Sequence, residues 1–151
     1  GGMDGQGAPM ARQMRSLGLK SQLLGGDGIH TAEFMKLAGP AADGVVASLP
    51  GRPLETLAKG PEFKQRFESQ YGKIQLYAPY CYDAMQVLAR AMQRAGSTEP
   101  AKVITELKKT DYEGITSHIQ FDDKGDLKQG SITVYKAVKG EWQVLKTVES
   151  N

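Results

Sequence analysis

The spacing of apolar positions changes character along this chain. In residues 8–17, Met10, Met14 and Leu17 fall on an i, i+4, i+7 stripe, which predicts a helix. Pro9 suits a first helical turn and Gly18 a stop. Residues 19–24 then read as a short strand broken by Gly25-Gly26. Thr31 is a good N-cap for a helix of about eight residues with Phe34 and Leu37 inward, ended by Gly39-Pro40. Residues 44–49 (GVVASL) form a nearly continuous run of small apolar side chains, the mark of a buried strand. This αβαβ alternation predicts a layered α/β fold with parallel strands.

Pro50-Gly51-Arg52-Pro53 is the strongest break, and the pattern beyond it differs. Phe63, Phe67 and Tyr71 make one helical stripe. Tyr77, Cys81, Ala84, Met85, Leu88, Met92 and Ala95 make a longer one closed by Gly96, and Val103, Ile104 and Leu107 a third. Residues 115–121 read as a strand, residues 122–126 as a polar turn, and residues 131–137 and 142–148 as a hairpin about Lys139-Gly140. Ile132, Val134, Trp142 and Val144 alternate with polar residues, so one hairpin face is expected to be wet. Residues 55–110 thus supply amphipathic helices with almost no strand for them to cover, although such stripes must be buried against something. The expected sheet lies in another part of a longer chain or in a second copy.

Composition narrows the classes. The 151 residues are 40% hydrophobic, enough for a packed core. A net charge of +2 from 19 basic and 17 acidic residues argues against nucleic acid as a partner and against a membrane-surface role. No apolar run approaches the ~18 residues of a membrane span. The single cysteine, Cys81, excludes an internal disulfide, and with only His30 and His118 no structural metal site is expected. The opening Gly1-Gly2-Met3-Asp4 lacks a basic stretch followed by an apolar run and reads as a chain beginning inside a loop, hence as a fragment.

Candidate chemistry centres on Gly25-Gly26-Asp27-Gly28, between an expected strand and an expected helix. Glycines there admit close approach to the backbone, and carboxyl ends of strands in α/β sheets are where ligands sit. Asp27 suits a cationic group such as an ammonium; it equally suits a plain turn whose acid complements a helix dipole. The glycine spacing fits neither a phosphate-binding loop nor a dinucleotide fingerprint. Gly1-Gly2-Met3 precedes a helix in the same manner, so two glycine loops could face one cleft. Tyr77, Tyr80 and Tyr82 could wall a small-ligand pocket, although Tyr77 and Cys81 lie on the apolar stripe and are expected in the core. Residues 122–126 fail as a calcium loop because Lys124 occupies a ligand position. No nucleophile, metal set or second acid accompanies Asp27, so no enzyme and no cofactor is expected; a carboxylate-dependent hydrolase is the remote alternative.

Three ordered segments, GGMDGQGAPMARQMRSLGLKSQLLGGDG, YAPYCYDAMQVLARAM and ITSHIQFDDKGDLKQGSITVYK, resemble the C-terminal half of the branched-chain amino acid (Leu/Ile/Val-type) periplasmic substrate-binding proteins of ABC transporters. The resemblance covers almost the whole chain and implies a type I periplasmic-binding-protein fold, here partial: two αβα lobes joined by three crossover segments, with an amino acid in the cleft. It implies that residues 1–48 are part of lobe two. Residues 51–121 would be a mainly helical part of lobe one, and residues 122–151 a return to lobe two, crossing back near Phe121 to Leu127. Carried over by position, Asp27 matches the acid that pairs with the ligand α-ammonium. Met3 matches a position usually held by Tyr, and Tyr77 an aromatic wall beside the ligand side chain. The groups that grip the α-carboxylate would lie in the absent N-terminal half. The implied partners are a small amino acid, a membrane permease and that N-terminal half, and the implied compartment is the periplasm. A fragment with uncovered stripes is expected to self-associate. A ligand-sensing regulator of the same fold, for amides or urea-like solutes, is the alternative.

Overall fold

The computed structural model describes residues 2–150; Gly1, the first glycine of the expected N-terminal loop, and Asn151 lie outside the described residues. In chain order the elements are α1 (Asp4–Ser16), β1 (Leu24–Gly25), α2 (Ala32–Ala38), β2 (Val46–Pro50), α3 (Gly60–Tyr71), α4 (Ala78–Ala95), α5 (Pro100–Leu107), β3 (Asp111–Glu113), β4 (His118–Gln120), β5 (Ser131–Val138) and β6 (Glu141–Glu149). Short 3₁₀ turns lie at Asp27–Ile29, Gly39–Ala42 and Leu54–Thr56. The chain divides into two compact units. One is Gly1–Pro50 with Ser131–Val148, the other Gly51–Gly130 with Glu149–Asn151. The backbone therefore passes between units at residues 50–51, 130–131 and 148–149, and residues 122–130 go with the second unit.

The first unit is a four-stranded sheet of order β1-β2-β5-β6. β1 pairs with β2 in parallel, as the αβαβ alternation predicts, and β2 and β5 run antiparallel, with Ala47 opposite Tyr135, so the hairpin joins the parallel pair in one mixed sheet. β5 and β6 are joined through Lys139 (φ 51°) and Gly140 (φ 86°), a pair of positive φ values that suits a two-residue hairpin turn. The core consists of Ala8, Ala11, Ile29, Phe34, Ala38, Ala42, Val45, Ala47 and Ala137, with Trp142 packed against it.

Small residues decide which faces are buried. α1 buries Gly7, Ala8 and Ala11 rather than the expected stripe; Met10 and Leu17 are exposed. A Cβ on Gly7 would lie 2.8 Å from Ile29 Cγ2, so glycine there lets α1 lie close against that residue. α2 begins as expected at Thr31, whose Oγ1 accepts the Phe34 N–H at 2.9 Å, and Phe34 is fully buried while Leu37 is exposed. The strand expected over residues 19–24 shrinks to Leu24–Gly25. Side chains serve the neighbouring backbone instead: Arg15 donates to the Leu19 and Asp43 carbonyls and Gln22 to that of Gly44. In β5 the buried residues are Thr133, Tyr135 and Ala137, while Ile132 is 53% exposed, so the face expected to be apolar is the open one. Thr133 is accommodated by a 2.9 Å hydroxyl hydrogen bond to Thr147.

The second unit is mainly helical, with the two-stranded sheet β3-β4. α4 packs on α5, and Phe63 of α3 meets Tyr82 of α4 with ring centroids 5.4 Å apart. α4 buries Pro79, Asp83, Val87 and Ala91, a stripe offset from the expected one. Tyr77, Cys81 and Met85 are exposed, which corrects the expectation that Tyr77 and Cys81 lie in the core. The offset follows from Asp83: its carboxylate accepts the Ile115 N–H at 2.8 Å, the Thr116 N–H at 2.8 Å and the Thr116 hydroxyl at 2.7 Å. Those bonds also hold residues 115 and 116 in a turn, so the strand expected over 115–121 is reduced to His118–Gln120. Residues 122–126 form the expected turn, with Asp122 Oδ1 accepting the N–H groups of Lys124 and Asp126 at 2.9 Å each.

Candidate functional site

Asp27 stands two residues beyond β1, as the first residue of the Asp27–Ile29 turn, at the carboxyl end of a strand that lies parallel to β2. Its Oδ1 accepts the Gly28 N–H at 3.0 Å, and its carbonyl accepts the His30 N–H at 2.9 Å. The side chain is half-buried. One carboxylate oxygen is thus engaged by its own turn.

The two glycine loops meet within this unit. A Cβ on Gly28 would lie 2.6 Å from the Gly2 carbonyl oxygen and 2.9 Å from Met3 Sδ, so only glycine fits between them. Met3 caps α1, its N–H donating to Gln6 Oε1 at 3.0 Å, and its side chain is 53% exposed. Asp4, the next residue, accepts the Thr31 hydroxyl at 3.1 Å and so ties the start of α1 to the start of α2. Asp27 and Met3 are therefore neighbouring features of one unit. Tyr77 belongs to the other unit, where it caps α4.

A second layer beneath Asp27 was not legible in the spacing. His30 packs against Tyr135 of β5 (centroids 4.2 Å apart, rings tilted by 52°) and Trp142 of β6 (4.9 Å, tilted by 31°). Trp142 Nε1 donates to the Thr31 carbonyl at 3.2 Å. His30 Nε2 is buried and has no hydrogen-bond partner among the described residues. Burial lowers the His30 pKa from its ordinary value, against a smaller opposing backbone hydrogen bond. The signal for these contacts was present only as isolated aromatic residues more than a hundred positions from His30 in the sequence.

In the second unit, a groove of about 800 Å³ between α3 and α4 is lined by Phe63, Phe67, Cys81, Tyr82 and Met85 and bordered by Lys59. Tyr77 does not line it. Among the described residues no group of three or more His, Cys, Asp or Glu side chains is placed to hold a metal ion.

A mixed sheet, an acid at the end of a parallel strand and a backbone that passes repeatedly between two compact units define a mixed α/β chain. The periplasmic binding protein family model matches residues 1–141, and the chain belongs to that family. It is 34% identical over 141 residues to a Leu/Ile/Val-binding protein homologue of Brucella abortus, covering 93% of this chain and 38% of that protein. It is 30% identical over 131 residues to the leucine-, isoleucine-, valine-, threonine- and alanine-binding protein of Pseudomonas aeruginosa, covering 84% of this chain and 34% of that protein. A crystal structure of a leucine-binding protein from Thermotoga maritima superposes with a TM-score of 0.83 at 27% identity, over 97% of this chain and 43% of that one. The fold is that of a type I periplasmic binding protein, represented in part. The chain spans about two fifths of the length of the relatives it matches.

Proposed function

We propose that this chain is the C-terminal part of the non-enzymatic solute-binding component of an ABC transporter. Its whole protein captures a branched-chain or other small amino acid between two lobes in the periplasm and delivers it to a membrane permease by hinge closure. The unit built on β1-β2-β5-β6 is part of lobe two, and the helical unit part of lobe one. The remainder of the protein supplies the other strands of lobe one and the donors for the ligand α-carboxylate.

The observation that carries this reading is the placement of Asp27 at the carboxyl end of β1, packed beside the Gly2–Met3 loop. An anionic oxygen on such a turn is the complement a protonated α-amine requires, and such charge-assisted hydrogen bonds are short and strong. By this reading Met3 borders the ligand side chain and Tyr77 serves as an aromatic wall of the whole protein's site. The names of the Brucella and Pseudomonas relatives point to the aliphatic amino acid class.

Calorimetric titration with leucine tests the assignment in the protein that contains this chain and its N-terminal part. Asp27→Ala should weaken binding by more than about tenfold, the loss of a hydrogen bond to a charged group. Unchanged affinity removes Asp27 from the site.

A further inference from the structure

We propose that His30 is a positioning residue for the Asp27 turn, and that it holds the turn against the β5–β6 hairpin only while its ring is neutral. The proposal rests on the reading of Asp27 as the ammonium-binding acid.

Two links join the turn to the hairpin. His30 is continuous with the turn, its N–H donating to the Asp27 carbonyl at 2.9 Å, and its ring packs on Tyr135 and Trp142. One residue further on, the Thr31 carbonyl accepts the Trp142 indole N–H at 3.2 Å. Phe34 of α2 closes the cluster with its centroid 5.8 Å from that of Trp142. A displacement of His30 is therefore a displacement of the backbone that carries Asp27.

The ring is poorly furnished for a positive charge. Its buried Nε2 meets no acceptor among the described residues. The side chains that pack on it from β5 and β6 are Tyr135 and Trp142, neither of which carries a carboxylate. The nearby carboxylates are Asp27, whose Oδ1 accepts the Gly28 N–H, and Asp4, whose Oδ2 accepts the Thr31 hydroxyl. An imidazolium would gain attraction from the two aromatic faces, but it would lose its hydration and leave a second ring N–H buried without an acceptor. The lowered His30 pKa has the sign expected when that cost wins. A His whose folded-state pKa lies below its unfolded value of 6.5 contributes fully above pH 6.5, and the contribution is lost as pH falls toward the folded-state pKa.

The chain contains one tryptophan, Trp142, so its fluorescence reports directly on the His30 contact. In the 151-residue chain, emission should change reversibly with a midpoint below pH 6.5, since an imidazolium quenches an adjacent indole. Over the same range, hydrogen exchange of the amides of residues 27–31, corrected for intrinsic rates, should accelerate by up to about tenfold per pH unit. His30→Phe should abolish both effects, with His30→Gln as the second variant should the first not fold. A flat wild-type profile from pH 8 to 5 with unchanged circular dichroism, or the same transition in both variants, would overturn the proposal. Asp27→Asn should retain a reversible fluorescence transition, its midpoint moved only downward by the loss of a neighbouring negative charge. A failure of the Asp27 binding assignment therefore appears only in leucine calorimetry, and a failure of the His30 assignment only in the titration.

Discussion

Asp83 shows how one residue can reset what its neighbours do. It lies on α4 among positions whose apolar period suggested a Tyr77–Cys81–Met85 core stripe, yet it is 2% exposed while all three of those are exposed. The carboxylate takes the N–H groups of Ile115 and Thr116 and the Thr116 hydroxyl, and Gly114 beside it has no room for a Cβ, which would lie 2.7 Å from Asp83 Oδ2. Asp83→Ala would leave two backbone donors without their acceptor, a cost of about 2–4 kcal/mol. The urea midpoint of the helical unit should fall accordingly with no change in slope, and an unshifted midpoint would mean that water replaces the carboxylate at no cost. The spacing of Asp27 marked it as a strand-end acid, because flanking glycines break strands and favour turns. It was silent on His30, whose partners Tyr135 and Trp142 come from the far end of the chain.

At the scale of elements, ends were more legible than faces. Thr31, Gly39 and Gly96 fall where caps and stops were expected, because capping is local chemistry. The buried faces of α1 and β5 were misjudged, since Ala8, Ala11, Thr133 and Ala137 carry little hydropathy signal of their own. The β3–β4 hairpin carries the opposite pH signature to His30. His118 Nδ1 lies 2.7 Å from Glu113 Oε2, and Nε2 lies 2.9 Å from Asp111 Oδ1. Ionised carboxylates only accept, so the two contacts together favour the doubly protonated ring. Its pKa is raised, first by the hydrogen bond to Glu113 and then, against a desolvation effect, by the charges of Asp111 and Glu113. The hairpin therefore gains from His118 below pH 6.5 and loses that gain as pH rises through the elevated folded-state value. Nuclear magnetic resonance of the His118 ring should show a midpoint above 6.5 that falls back toward 6.5 in Asp111→Asn/Glu113→Gln; a wild-type midpoint at or below 6.5 would contradict the clamp.

For the molecule as a whole, the expectation of unpartnered stripes remains visible within each unit. Leu24, Ile132, Val144 and Val148 are exposed in the first, and Tyr71, Tyr82, Met85 and Ile104 in the second. Scattered exposed apolar groups are ordinary, but here several of them gather along one groove between α3 and α4. The 151-residue chain should accordingly form dimers or larger species at micromolar concentration in light scattering, and a well-folded monomer there would refute this. On the proposal that the chain is part of a longer protein, the longer protein should not show this association, because it covers the same faces.

Period, caps and glycine placement were enough to determine that the chain alternates helix and strand, breaks at residues 50–53, and ends in a hairpin, because each depends on a few consecutive residues. The ordered segments also carried the family, and all three lie within the residues 1–141 that the family matches. Only the tertiary structure decided that β5 runs antiparallel to β2, that Asp83 rather than Tyr77 is buried, and that the Gly2–Met3 loop packs on Gly28 and the ring of His30 on Tyr135 and Trp142. Burial and strand direction are set by what lies opposite an element, and the opposing residues here are drawn from distant parts of the chain.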